Sequence, residues 1–179
     1  LVVGLEFVRK VLTFLGIDPG LRNTGWGVIE TRNNLLIPIA DGRIVTKDSN
    51  PLAERLLQIF DGLENVINTY EPDEVAVEET FVNVNAASTL KLGQARGVAM
   101  LVPAKFGIQV SEYSPNKIKK SVVGTGHAAK KQVQMMVRML LPGCLTETVD
   151  AADALAVAIC HAHHRDLSNI LIQNSRVSA

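Results

Sequence analysis

From Val11 onward, apolar runs alternate with turn residues, and the period of each run names its element. Val11 to Asp18 is almost continuously apolar, ends in a carboxylate and is cut off by Pro19-Gly20, which is the pattern of a buried strand. Gly25 to Thr31 and Leu36 to Lys47 read as two further strands, so the chain opens with three in succession. Leu52, Leu56, Ile59, Leu63 and Val66 then recur at three-to-four spacing behind Pro51, a favoured first helical residue, and predict a helix over Pro51 to Tyr70. A short fourth strand is expected at Asp73 to Glu78, a helix at Val84 to Ala104 and a fifth strand at Ile108 to Tyr113. Further helices are expected at Ser114 to Val122, Lys130 to Leu140 and Thr148 to His164. Three strands followed by alternating helix and strand imply an α/β fold, a mixed five-stranded sheet flanked by helices.

The ends fit this pattern poorly. Leu1 to Val11 is apolar but interrupted by Glu6, Arg9 and Lys10, which suits an extension better than a secretory signal. Asp166 to Ala179 is weakly patterned. The expected division is therefore an extension over 1–11, one domain over 12–165 and a flexible tail over 166–179.

Composition narrows the function. At 47% hydrophobic residues the 179-residue chain can bury a real core, and 18 basic residues balance 18 acidic ones. Zero net charge excludes an indiscriminate polycation, so any affinity for nucleic acid must come from a local patch. Cys144 and Cys160 make neither a disulfide framework nor a metal-ligand spacing, and a reducing cytoplasm is the default. No apolar run approaches the about 20 residues that span a bilayer.

Four acidic positions stand out by place. Asp18 closes the first strand and Glu78 or Glu79 the fourth, while Asp150 and Asp153 are spaced to share one helix face. Singly, Asp18 is explained by turn chemistry and Asp150 by a helix dipole. Asp153, among Ala151, Ala152, Ala154 and Leu155, resists such an account because an unpaired charge there is costly. Ligand sites in open α/β sheets lie beyond the carboxyl ends of strands, and converging carboxylates suit Mg²⁺ or Mn²⁺.

Two other stretches carry candidate chemistry. From Asn116 to Arg138 there are Lys117, Lys119, Lys120, Lys130, Lys131 and Arg138 but no acidic residue, enough charge to neutralise several phosphates. Gly124 and Gly126 allow backbone amides to approach one closely. The helix from Val84 has two apolar sides: Ala86, Leu90, Gly93, Gly97 and Leu101 on one, Leu92, Ala95, Ala99 and Val102 on the other. One side can cover the sheet and the other needs a partner. His127, His161, His163 and His164 could suggest a metal cluster, but the His-x-His-His run at a helix end is expected to be solvated.

Taken in order, five segments resemble the RuvC family of Holliday-junction resolvases, which have the RNase H-like fold. They are Gly16-Ile17-Asp18-Pro19-Gly20 with Thr24 to Ile29, Ala76-Val77-Glu78-Glu79-Thr80-Phe81, Leu90 to Gly97, Val122 to Lys130, and Asp150-Ala151-Ala152-Asp153-Ala154-Leu155-Ala156. The likeness runs from about Leu15 to His163. It implies a structure-specific endodeoxyribonuclease that cuts four-way junctions symmetrically in recombination and repair, by two-metal-ion hydrolysis. Asp18, Glu78, Asp150 and Asp153 become the catalytic and metal-binding carboxylates, which selects Glu78 over Glu79. The implied cofactor is Mg²⁺, two ions per site, with Mn²⁺ as a substitute.

The resemblance also implies DNA contacts by Lys119 and Lys130, within the block that includes Lys117, Lys120 and Lys131, and a wedge role for Phe81. It implies a homodimer through Leu90, Gly93, Gly97 and Leu101, a branch-migration helicase complex as further partner, and a bacterial, nucleoid-associated cytoplasmic location. Leu21 departs from the small polar residue often found there, and Asp150 stands where some members have histidine. Among other readings, a sugar-kinase or actin-like ATPase shares the opening strand and turn but needs a second lobe. A nuclease of RNA–DNA hybrids lacks a use for the interface helix, and an inert junction-binding module lacks a use for four carboxylates.

Overall fold

What each strand faces follows from strict alternation along the chain. The computed structural model describes residues 11–32, 35–80, 85–144, 146 and 148–177. Among these, β1 (Leu12–Asp18), β2 (Asn23–Arg32) and β3 (Leu35–Val45) form an antiparallel meander. After α1 (Leu52–Tyr70), β4 (Glu74–Glu78) pairs parallel to β1; after α2 (Ala86–Lys105), β5 (Gln109–Tyr113) pairs parallel to β4. Then come α3 (Pro115–Val123), α4 (Lys130–Leu140) and α5 (Val149–Val177). The sheet order β3-β2-β1-β4-β5 is the mixed five-stranded arrangement expected, with helices on both faces. Helix α5 runs to Val177, past the His164 limit that its periodicity suggested.

Leu15, Ile17, Val28, Val75 and Val77 point to one face and pack with Ile59, Leu63, Ala95, Ala99 and Val102 of α1 and α2. Leu12, Phe14, Ile29 and Ala76 point to the other, against α3, α4 and a long apolar stretch of α5. Asp18 shares the face of Phe14, and Glu78 that of Ala76, so both strand-end carboxylates look toward α5. Strand register thus turns Glu78 toward α5, an orientation that the sequence pattern left open.

Helix α5 lies unusually close to the sheet. Gly27, Gly16 and Ala76 are neighbours in register across β2, β1 and β4, and form a shallow trough. A Cβ on Gly16 would strike the Ala154 carbonyl oxygen and sit 2.6 Å from the Ala158 nitrogen. Only glycine allows that approach.

The histidine expectation is corrected: His163 and His164 are half-buried, with Nδ1 3.1 Å from Ser121 Oγ and 2.8 Å from the Cys160 carbonyl oxygen, and His161 is buried outright. His161 is 3% exposed because α5 is apolar nearly all round and presses it onto β4 and β5. Its Nε2 lies 2.9 Å from Glu74 Oε2 and its Nδ1 3.0 Å from Tyr113 Oη, while Phe14 meets the ring edge-on. Burial lowers its pKa, and the contacts suit a neutral ring that donates to Glu74 and accepts from Tyr113.

Among the described residues no helix is long and apolar enough to cross a membrane. Substituting Gly16→Ala is expected to force α5 off β1 and cost about 1–3 kcal/mol in urea denaturation, as overpacking does. Unchanged stability would show that the helix does not depend on this contact.

Candidate active site

Asp18 and Glu78 end adjacent parallel strands, and α5 brings Asp153 over them. Together with Lys119 of α3 and Lys130 at the start of α4, these three carboxylates line a cavity of about 330 Å³. Pro115, Ile118, Val133 and Ala156 supply its apolar wall. Lys130 Nζ lies 2.7 Å from Asp153 Oδ2. Of the other lysines in the basic block, Lys117 stacks 4.8 Å over the Tyr113 ring, and Lys120 and Lys131 are exposed on α3 and α4.

Asp150 belongs to the same neighbourhood but sits at its rim. It lies outside the cavity lining and faces Arg43 of β3, with Nη1 3.8 Å from Oδ2. Gly25 makes this possible, since a Cβ there would collide with the Asp150 backbone carbonyl. Phe81 falls outside the described residues.

The turn behind Asp18 is tied down from the opposite side of the sheet. Arg55 of α1 is buried and donates from Nε to Thr46 Oγ1 (2.9 Å) and from Nη2 to the Leu21 carbonyl (3.2 Å). Thr46 donates its hydroxyl to the same carbonyl at 2.5 Å and its amide to Arg22 at 2.9 Å. Thr24 Oγ1 donates to the Gly20 carbonyl at 2.7 Å. These bonds fix residues 20–22 immediately beyond Asp18, with Leu21 contributing its backbone oxygen. Neither Arg43 nor Arg55 belonged to a motif, and strand registration was the signal that would have placed Arg43 beside Gly25.

Crowding has an electrostatic consequence. Burial, and then the charges of Asp153 and Asp150 against the relief from Lys130, push the Asp18 carboxyl from 3.8 to about 7. Burial and the charges of Asp18 and Asp153 push Glu78 from 4.5 to about 8. Asp153 is also raised by burial, with Lys130 opposing. For Lys130, burial disfavours the ammonium, but Asp153 more than offsets it and the net shift is upward.

The donors are all hard oxygens, the set preferred by Mg²⁺ or Mn²⁺, and added positive charge would relieve their repulsion. In donor chemistry the residues therefore fit a divalent cation. Among the described residues no trio of His, Cys, Asp or Glu is gathered tightly enough to hold one as it stands. Lys130 supplies the nearest positive charge instead.

Comparison with known proteins identifies the family. The family model for crossover junction endodeoxyribonuclease RuvC matches residues 14–161. The crossover junction endodeoxyribonuclease RuvC of Paramagnetospirillum magneticum is 66% identical over 154 residues, covering 86% of this chain and 93% of that protein. That of Rhodopseudomonas palustris is 60% identical over 158 residues, covering 88% and 91%. A structure of Thermus thermophilus RuvC in complex with a Holliday junction substrate superposes with a TM-score of 0.81 at 31% identity, covering 88% of this chain and 96% of that one.

A pH dependence follows from the raised carboxyls. Between about pH 4 and about pH 8 the folded protein without metal holds protons at Asp18 and Glu78 that the unfolded chain has released. These groups therefore reduce stability as pH rises through that window. Asp18→Asn should gain stability over the parent chain as pH increases, measured by denaturation in EDTA. A difference that stays constant from pH 5 to pH 8 would contradict the crowding.

Proposed function

Since the chain belongs to the RuvC family of crossover junction endodeoxyribonucleases, we propose that it resolves four-way DNA junctions at the cavity shared by Asp18, Glu78 and Asp153. The setting is homologous recombination and DNA repair. The observation that carries the reading is the meeting of three half-buried carboxylates and two lysines in one cleft. Carboxylates alone would repel a phosphodiester, and lysines alone would bind one without cutting it.

Asp18, Glu78, Asp150 and Asp153 are the residues that would hold the metal. Two Mg²⁺ ions, with Mn²⁺ able to substitute, supply the charge neutralisation and water activation that phosphodiester hydrolysis requires. Lys119 and Lys130 bind non-bridging phosphate oxygens, Lys130 exchanging Asp153 for the substrate. Lys117, Lys120 and Lys131 extend the contact along the DNA backbone. Among the described residues that line the cavity none is a serine, cysteine or histidine, so the reading assigns the attack to water rather than to a side-chain nucleophile. Phe81, three residues after Glu78, is the wedge at the branch point, where an aromatic ring can stack on an unpaired base.

The second copy that a symmetric cut requires docks on α2. Ala95, Ala99 and Val102 of that helix are buried, while Leu90 is 67% and Leu101 59% exposed on the opposite side. Gly93 and Gly97 between them have open space around them, which favours close approach of an identical helix about a two-fold axis. Residues 12–165 form the nuclease domain of this reading, with 1–11 and 166–179 outside it. A bacterial cytoplasmic setting at the nucleoid, with a branch-migration helicase complex acting on the same junction, completes it.

Incubation in Mg²⁺ with a synthetic four-way junction, a matched linear duplex and an RNA–DNA hybrid tests the proposal. Paired nicks confined to the junction are expected. Asp18→Asn should lose more than the about 10–100-fold typical of removing a group that only supports a metal ligand. Equal attack on the linear duplex, or normal cleavage by Asp18→Asn, would overturn it.

A further inference from the structure

The cations that line the cavity, Lys119 and Lys130, both stand on its α3–α4 side. Arg43 stands on the other. In register, Arg43 of β3 pairs with Gly25 of β2, and Gly25 with Asp18 of β1. Laterally paired residues point to the same face, so Arg43 looks toward α5 as Asp18 does, about two strand spacings or roughly 10 Å away. Gly25, between them, contributes no side chain and leaves a gap filled by the first turn of α5.

We propose that Arg43 grips a DNA phosphate neighbouring the scissile one, on the flank of the site opposite Lys119 and Lys130. The proposal rests on the nuclease reading above and adds to it the direction of the cut strand, which then crosses the sheet from α3 and α4 toward β3. Arg43 is 45% exposed along its side chain, and its ion pair with Asp150 spans 3.8 Å between partly solvated groups. Such a pair is weak, so exchanging it for a phosphate costs little. A guanidinium can meet a phosphate with two parallel hydrogen bonds, which an ammonium cannot. Asp41, two residues earlier on the same face, is the acid on β3 itself, and its Oδ2 lies 3.8 Å from Cys144 Sγ. The row of Arg43, Gly25, Asp18 and Glu78 thus presents one cation beyond the carboxylates, where the next phosphate of an extended strand would arrive.

The test uses the full chain and a labelled four-way junction in Mg²⁺, with Asp18→Asn present in every variant so that the junction stays intact. Arg43→Gln should weaken binding and make the slope of log affinity against log salt shallower by about 0.9, the loss of one phosphate contact. Arg43→Lys, which keeps the charge, should retain most of the slope and shows that the fold is preserved. Replacing single phosphates by neutral methylphosphonates should locate one linkage, beside the cut site, whose neutralisation weakens the arginine-bearing protein but not Arg43→Gln.

An unchanged slope in Arg43→Gln, or losses that add at every linkage, would overturn the proposal. So would unchanged binding of Arg43→Gln accompanied, with Asp18 restored, by slower cutting, because Arg43 would then only orient Asp150. Failure of the nuclease reading is a separate result, seen when the chain with all its native residues does not nick the junction.

Discussion

A helix can deliver side chains to the end of a strand only if its backbone is allowed to lie against the sheet. Here that permission comes from the trough of Gly27, Gly16 and Ala76, neighbours across three strands, and from Gly25 one step further along β2. Any side chain at Gly16 would occupy the space of the α5 backbone at Ala154 and Ala158. The trough therefore sets the height of α5, and with it the distance from Asp153 to Asp18 and Glu78. Ions between carboxylates tolerate little variation in ligand spacing, so a packing constraint becomes a chemical one. The His161 contacts with Glu74 and Tyr113, two helical turns along α5, fix the same helix against β4 and β5.

Bringing acids together in a partly buried cleft is unfavourable unless something positive shares the space. The protein without metal meets part of that need with Lys130 on Asp153 and Arg43 near Asp150. Both cations stand where a polyanionic substrate would also be attracted, so the same groups that stabilise the free protein can receive DNA. The zero net charge of the chain leaves such local cations, rather than the surface as a whole, to supply the proposed affinity for DNA.

The strands ending in Asp18 and Glu78 and the helices of the second half are legible in the amino-acid sequence because their apolar periods are clean and Pro and Gly mark their ends. The two-sided character of α2 is legible as well, and Ala95 and Ala99 do pack inward while Leu90 and Leu101 face out. Three features are not. Alternation does not say which face of β4 meets α5, so the choice between Glu78 and Glu79 depends on strand register. A histidine in an apolar helix gives no sign of its partners, which lie 87 and 48 residues away for His161. Arg43 and Arg55 have no local signature at all, since their significance comes from strand pairing and from a loop on another element.

The central claim is the proposal that Asp18, Glu78 and Asp153, which α5 seated in the glycine trough brings to one cavity, hold a divalent cation with Asp150 at the rim. Titration with Mn²⁺, following the loss of the free-ion electron paramagnetic resonance signal, tests it without DNA or turnover. The account predicts saturable uptake that Mg²⁺ competes away, with the midpoint moving more than about tenfold higher in Asp18→Asn and in Asp153→Asn. Uptake that is absent in the parent chain, or the same in both variants, would contradict it.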